Sequence, residues 1–140
     1  MKRLVFALVF ASTAAFGEDT RQLVQLPPAA QETLRQEMLD NLLALNEVLT
    51  FVAAGKIVEA GEAAEQKLGV SAMGKHRGKP VDARPGPHMP EEMHNLGRKG
   101  HMAASEFALA ARAGERERAL ALLPNLTSAC VACHYAYRTR

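Results

Sequence analysis

The chain has no tryptophan, two tyrosines, five phenylalanines and two cysteines among its 140 residues. It also has almost no runs of alternating β-branched residues, so a sheet is not the expected scaffold. Ala, Leu, Glu and Gln are abundant instead, which points to helices. No clustered basic stripe marks a nucleic-acid footprint. No nucleophile–base pair and no acid–base dyad stands out, so the chain is not expected to be an enzyme. With only two cysteines, Cys130 and Cys133, any account of one has to use the other.

The first stretch, MKRLVFALVFASTAAFGEDT, has the layout of a secretory signal peptide. Lys2 and Arg3 precede a short apolar run from Leu4 to Phe10, then small residues, then acids. Cleavage is expected after Gly17, with Ala14 and Ala15 as alternatives. The run is well short of the ~20 apolar residues of a spanning helix, and no later segment looks close to that length. The expected product is an exported, periplasmic protein of residues 18–140 in one domain. Without Lys2 and Arg3, its 17 basic residues become 15, equal to its 15 acidic ones.

Four helical segments are predicted. The first follows Pro27 and Pro28, which suit a helix start, and runs to about Ala54 before Gly55. Its inward stripe is Leu34, Met38, Leu42, Leu45, Leu49 and Val52, at spacings of three and four. The second turns Ile57, Ala60, Ala64 and Leu68 to one side and stops at Gly69. After a loop Val70–Pro90, the third begins at Pro90-Glu91-Glu92 and ends at Gly114, with Met93, Gly97, Gly100, Ala104, Phe107 and Ala111 inward. Two glycines in mid-helix cost roughly 1 kcal/mol each, which suggests that something bulky needs that backbone close. The fourth runs from about Glu115 to Arg138 with Leu120, Leu123, Thr127, Cys130, His134 and Tyr137 inward. Pro124 is expected to kink or restart it near Asn125. Two short turns and one long loop joining four helices predict an all-α fold, an antiparallel four-helix bundle.

Cys130-Val-Ala-Cys133-His134 therefore falls on a helix. A disulfide across so short a loop would constrain little of the unfolded chain. A thioredoxin-like pair belongs at a helix N-terminus after a strand, which is missing here. Zinc needs further ligands at a matching spacing. Covalent haem attachment uses every residue: both cysteines form thioethers with the vinyl groups and His134 reaches the iron. That chemistry is completed outside the cytoplasm, in agreement with the leader. A haem would also account for Gly97 and Gly100, although close helix packing explains them as well.

CVACHYAYR ending a four-helix chain resembles the class II c-type cytochromes, the cytochrome c-prime family, whose last helix carries this motif followed by an aromatic and a basic residue, here Tyr137 and Arg138. LRQEMLDNLLAL is similar to the family's first helix. The resemblance implies one haem c, single-electron transfer with protein redox partners, and Arg35, Gly97, Gly100, Tyr137 and Arg138 in the haem environment. Family members often pair through their first helices, which leaves a homodimer open. The low-spin members carry a distal Met followed three residues later by Asn, matched by Met38 and Asn41. A register shifted by one residue would put Leu39 over the iron and leave a high-spin site open to nitric oxide or carbon monoxide. His/Met ligation closes the iron to ligands and suits electron transfer.

The loop Val70–Pro90 and the start of the third helix gather Met73, His76, His88, Met89, His94, His101 and Met102. Thioethers and imidazoles suit copper, so a periplasmic copper-binding protein is a further alternative. Lys75, His76, Arg77 and Lys79 form a basic lip that could dock an acidic partner or cover a haem propionate.

Overall fold

The computed structural model describes residues 18–140, and the expected signal peptide, residues 1–17, lies outside them. The described chain is all-α but for one short bridge. Four helices follow in order: α1 Pro28–Ala53, α2 Ile57–Leu68, α3 Glu91–Arg112 and α4 Arg116–Ala136. Pro28 opens α1, where its missing N–H costs nothing. Gly55 and Gly114, at φ +74° and +75°, let the chain leave α1 and α3 through the left-handed region. Three short 3-10 turns, Val70–Ala72, Val81–Ala83 and Gly86–His88, give the long loop an ordered path.

Consecutive helices pack: α2 on α1, α3 on α2, α4 on α3, while α1 and α4 barely meet. The main core lies on the α2–α3 seam, where Ala60, Ala64, Ala108 and Ala111 surround Phe107, which is fully buried. Alanines bring these two backbones close. A Cβ on Gly61 would lie 2.8 Å from the Ala111 Cβ and 3.0 Å from the Ala108 carbonyl oxygen. Glu65 ties the seam to the loop: it accepts from the Ser105 hydroxyl at 2.5 Å and from the Ser71 hydroxyl and backbone N–H. These donors hold its carboxyl below the usual range, the Ser105 bond most of all.

The inward stripes differ from expectation on the two outer helices. In α1 the buried residues are Ala30, Thr33, Leu34, Ala44 and Val48, whereas Leu42 and Leu49 are 64% and 45% exposed. The buried face is turned by roughly a quarter turn from the predicted stripe, because α2 covers one part of α1 while the Val81–Ala83 turn and the cluster of Val24 and Met93 cover its start. In α4, Ala119 and Leu126 are buried in place of Leu120 and Thr127, since its helical neighbour is α3. Pro124 does not break α4. The helix continues through it, and the Thr127 and Ser128 hydroxyls donate to the Pro124 carbonyl at 3.2 and 2.7 Å. Nor does α4 reach Arg138. Tyr137–Arg138 (β2) is extended and pairs in parallel with Gln22–Leu23 (β1), a bridge between distant parts of the chain that the sequence pattern did not announce.

Contrary to the sequence expectation, one described segment is long and apolar enough to cross a membrane. That segment is α4, and only 11% of its most apolar 18-residue stretch is buried.

Candidate haem attachment site

The motif occupies the last turns of α4, and the bridge holds that end in place. The Arg21 guanidinium donates to the His134 carbonyl at 3.3 Å, the Val24 N–H to the Arg138 carbonyl at 2.8 Å, and the Gln31 amide to the Thr139 carbonyl at 2.6 Å. Asp19 accepts two bonds from the Arg21 side chain, at 2.7 and 2.9 Å, and lies 3.7 Å from Arg138. Arg21 beside it holds the Asp19 carboxyl down at about 2.

Beside this end lies a second apolar cluster, separate from the α2–α3 core. Val24, Leu34 and Met93 are buried in it, and Leu26, Met38, Met89, Cys133 and Tyr137 pack against them. The fold thus brings Met38 of α1 to the same cluster as Cys133 of α4. Leu42, Leu45 and Leu49 share the helical face of Met38 by their spacing. Leu39 lies off that face and is 57% exposed.

Both cysteines are free. Residues three apart on a helix hold their Cβ atoms about 5–6 Å apart, beyond the ~3.5–4.5 Å span of a disulfide. Burial pushes both thiols above their ordinary value, and the neighbouring Cys130 pushes Cys133 further. That is the reverse of a reactive redox pair, whose thiolate is stabilised. Cys130 is exposed as a residue, yet its sulfur turns back toward the Leu126 carbonyl at 3.9 Å. The His134 imidazole faces outward and makes no hydrogen bond among the described residues.

The remaining predicted positions divide. Tyr137 is in the cluster and Arg138 follows it, half-buried. Arg35 is exposed and paired with Glu32 at 2.9 Å, one turn back on α1. Gly97 is exposed, and a Cβ there would meet nothing within 4 Å, so the inward position expected for it is corrected. A Cβ on Gly100 would lie 3.4 Å from the Ala129 Cβ, so this glycine serves the α3–α4 contact.

The loop is strapped to α1 and to its own backbone by side-chain bonds. Lys79 donates to the Thr33 hydroxyl at 3.0 Å, and Lys75 and His76 approach Glu37 at 3.6 and 3.5 Å. His88 and His101 each bond a backbone carbonyl, of Val81 and Leu68. Among the described residues no three His, Cys, Asp or Glu side chains gather as metal ligands.

The donor set fits a covalently held haem: two free thiols and an imidazole on one helix end, and a thioether in the same apolar cluster as Cys133. Three buried nitrogens, His76 Nε2, Arg84 Nε and Arg138 Nε, lack a hydrogen-bond partner among the described residues. Sequence reasoning reached Arg138 and passed over Arg84, whose only signal was its place in a basic, proline-rich loop.

The chain matches no family model, no curated protein and no solved structure.

Proposed function

We propose that this chain is a mono-haem c-type cytochrome of the class II kind that carries single electrons between protein partners outside the cytoplasm. The observation that supports it best is the joint placement of Cys130, Cys133 and His134 on one helix, with Cys133 packed in the same cluster as Met38. Cys130 and Cys133 would hold the group through thioethers, and His134 and Met38 would be its iron ligands. The outward position of Leu39 favours Met38 over it. A haem so ligated supplies a one-electron iron couple with a closed sixth position. Leu34 and Met93, buried in the same cluster as Cys133, would keep water from it, and the β1–β2 bridge holds that end of α4.

The antiparallel bundle belongs to this reading. The short connections 54–56 and 113–115 favour neighbouring helices that run back on one another. So does the apolar surplus of α4: a helix buried so little within the fold leaves apolar surface that a haem held by its cysteines would cover in part.

The test is the optical spectrum of the protein purified after expression with c-type haem maturation, oxidised, dithionite-reduced and then exposed to carbon monoxide. A covalent haem with sharp low-spin bands, a weak near-infrared sulfur–iron band lost in Met38→Ala, and no carbon monoxide shift is expected. A broad high-spin Soret band that moves with carbon monoxide would replace electron transfer by gas binding. Protein without covalent haem, or protein found in the membrane fraction through α4, would remove the cytochrome reading.

A further inference from the structure

We propose that the outer groove between α3 and α4 is a self-association face, which takes a second copy of this chain around a two-fold axis with the two α3 helices antiparallel. The groove has a volume of about 600 Å³, and its apolar lining comes from Leu96, Met102 and Ala103 of α3 and from Ala129 and Ala132 of α4. Met102 is 60% exposed. On α4, Val131 lies three residues beyond Ser128 of the groove and Tyr135 three beyond Ala132, so both extend the same side of the helix. They are 63% and 85% exposed. A continuous apolar surface with a polar rim marks an interaction site. Neither the cysteines of the motif nor His134 line this groove, so the inference stands apart from the haem.

The charges of the groove say what occupies it. Lys99 and Glu106 line it as well, and both are exposed. They stand two turns apart, ~10 Å along α3, with Met102 and Ala103 midway between them. Neither has an opposite charge three or four residues away: Lys99 has Asn95, Leu96, Met102 and Ala103 there, and Glu106 has Met102, Ala103, Leu109 and Ala110. Neither joins an ion pair among the described residues, in contrast to Arg35 with Glu32, Lys67 with Glu47 and Arg118 with Glu115. A two-fold rotation about an axis at Met102 and Ala103 brings Lys99 of each copy level with Glu106 of the other, and sets the long Met102 against the small Ala103. The face is therefore complementary to itself, as an isologous dimer requires. A partner of one sign meets a like charge at one end of the groove, and an anionic bilayer meets Glu106.

The experiment measures mass in solution by sedimentation equilibrium over a range of concentrations, for the protein as purified and for Lys99→Glu, Glu106→Lys and the two combined. Wild type is expected to dimerise. Each single reversal places two like-charged pairs across the axis and should weaken the dimer about tenfold or more. The combined reversal, and an equimolar mixture of the two single variants, should restore it, because every pair is then of opposite sign. Recovery in the mixture also shows that both single variants are folded. A monomeric wild type would overturn the proposal, whether it stays free or sediments with phosphatidylcholine vesicles. So would a dimer that neither reversal weakens, or single variants that stay monomeric when mixed. A dimer split by Leu42→Glu and untouched by the reversals would place the interface on α1 and overturn it too.

Discussion

The α2–α3 seam and the α1–α4 side of this molecule are built from similar apolar residues, but they behave as opposites. On the seam, alanines and Gly61 let two backbones close around Phe107, and nothing there is left uncovered. On the other side, leucines of α1 stay exposed, α4 is mostly unburied, and sulfur, imidazole and guanidinium groups gather at one end. The difference teaches that a region organised by volume is finished by the chain itself, whereas the region that carries the chemical groups keeps apolar surface open, which on the proposed reading a haem would cover.

Three substitutions would break or sharpen the contrast. The largest effect is expected from Phe107→Ala, which empties the seam: about 3–5 kcal/mol of stability should be lost, read by chemical denaturation. A loss below ~1 kcal/mol would mean that the seam is not close-packed. Next comes Gly61→Val. Overpacking against Ala111 and the Ala108 carbonyl should cost about 1–3 kcal/mol even though glycine is itself a poor helix former. Unchanged or raised stability would show that α2 and α3 can move apart freely.

The smallest global effect is expected at the bridge beside the motif. Asp19 has its carboxyl depressed from 3.8 to about 2, so its contribution is fully present above the ordinary aspartate range and is lost as pH falls through about 2. Asp19 is exposed, so Asp19→Asn should leave the denaturation midpoint where it is. Hydrogen exchange at the Val24 amide, which donates to Arg138, should quicken at neutral pH. An unchanged exchange rate would mean that the bridge holds without the Asp19–Arg21–Arg138 charges.

Much of the fold was legible in residue order. The helix limits near Pro28, Gly55, Gly69, Pro90 and Gly114 follow local chemistry, and the structure keeps them within a residue or two. What misled was the direction of the apolar stripes. Leu42, Leu49, Leu120 and Thr127 fit a 3.6 period as well as the buried residues do, and periodicity cannot say which of two apolar faces gains a neighbour. Pro124 misled for a related reason: its local cost is outweighed by the packing of Leu122, Leu123 and Leu126 on either side.

The candidate site divides along the same line. Cys130, Cys133 and His134 are adjacent in sequence, so their spacing alone carries their joint meaning, and so does their place on a helix. Met38 was reached through family resemblance, and its meeting with Cys133 in one cluster is a tertiary fact. The unpartnered Nε of Arg84 was invisible before folding, because an unpaired atom is defined by burial and by the partners it lacks. The parallel bridge between Gln22–Leu23 and Tyr137–Arg138 depended on tertiary structure too, since two-residue strands have no periodicity to read. By itself the sequence determined the helices, their stops and the motif, all set by interactions within a few residues. Only the tertiary structure decided which faces were covered, which cations were spent and which side stayed open, because those depend on contacts between residues far apart in the chain.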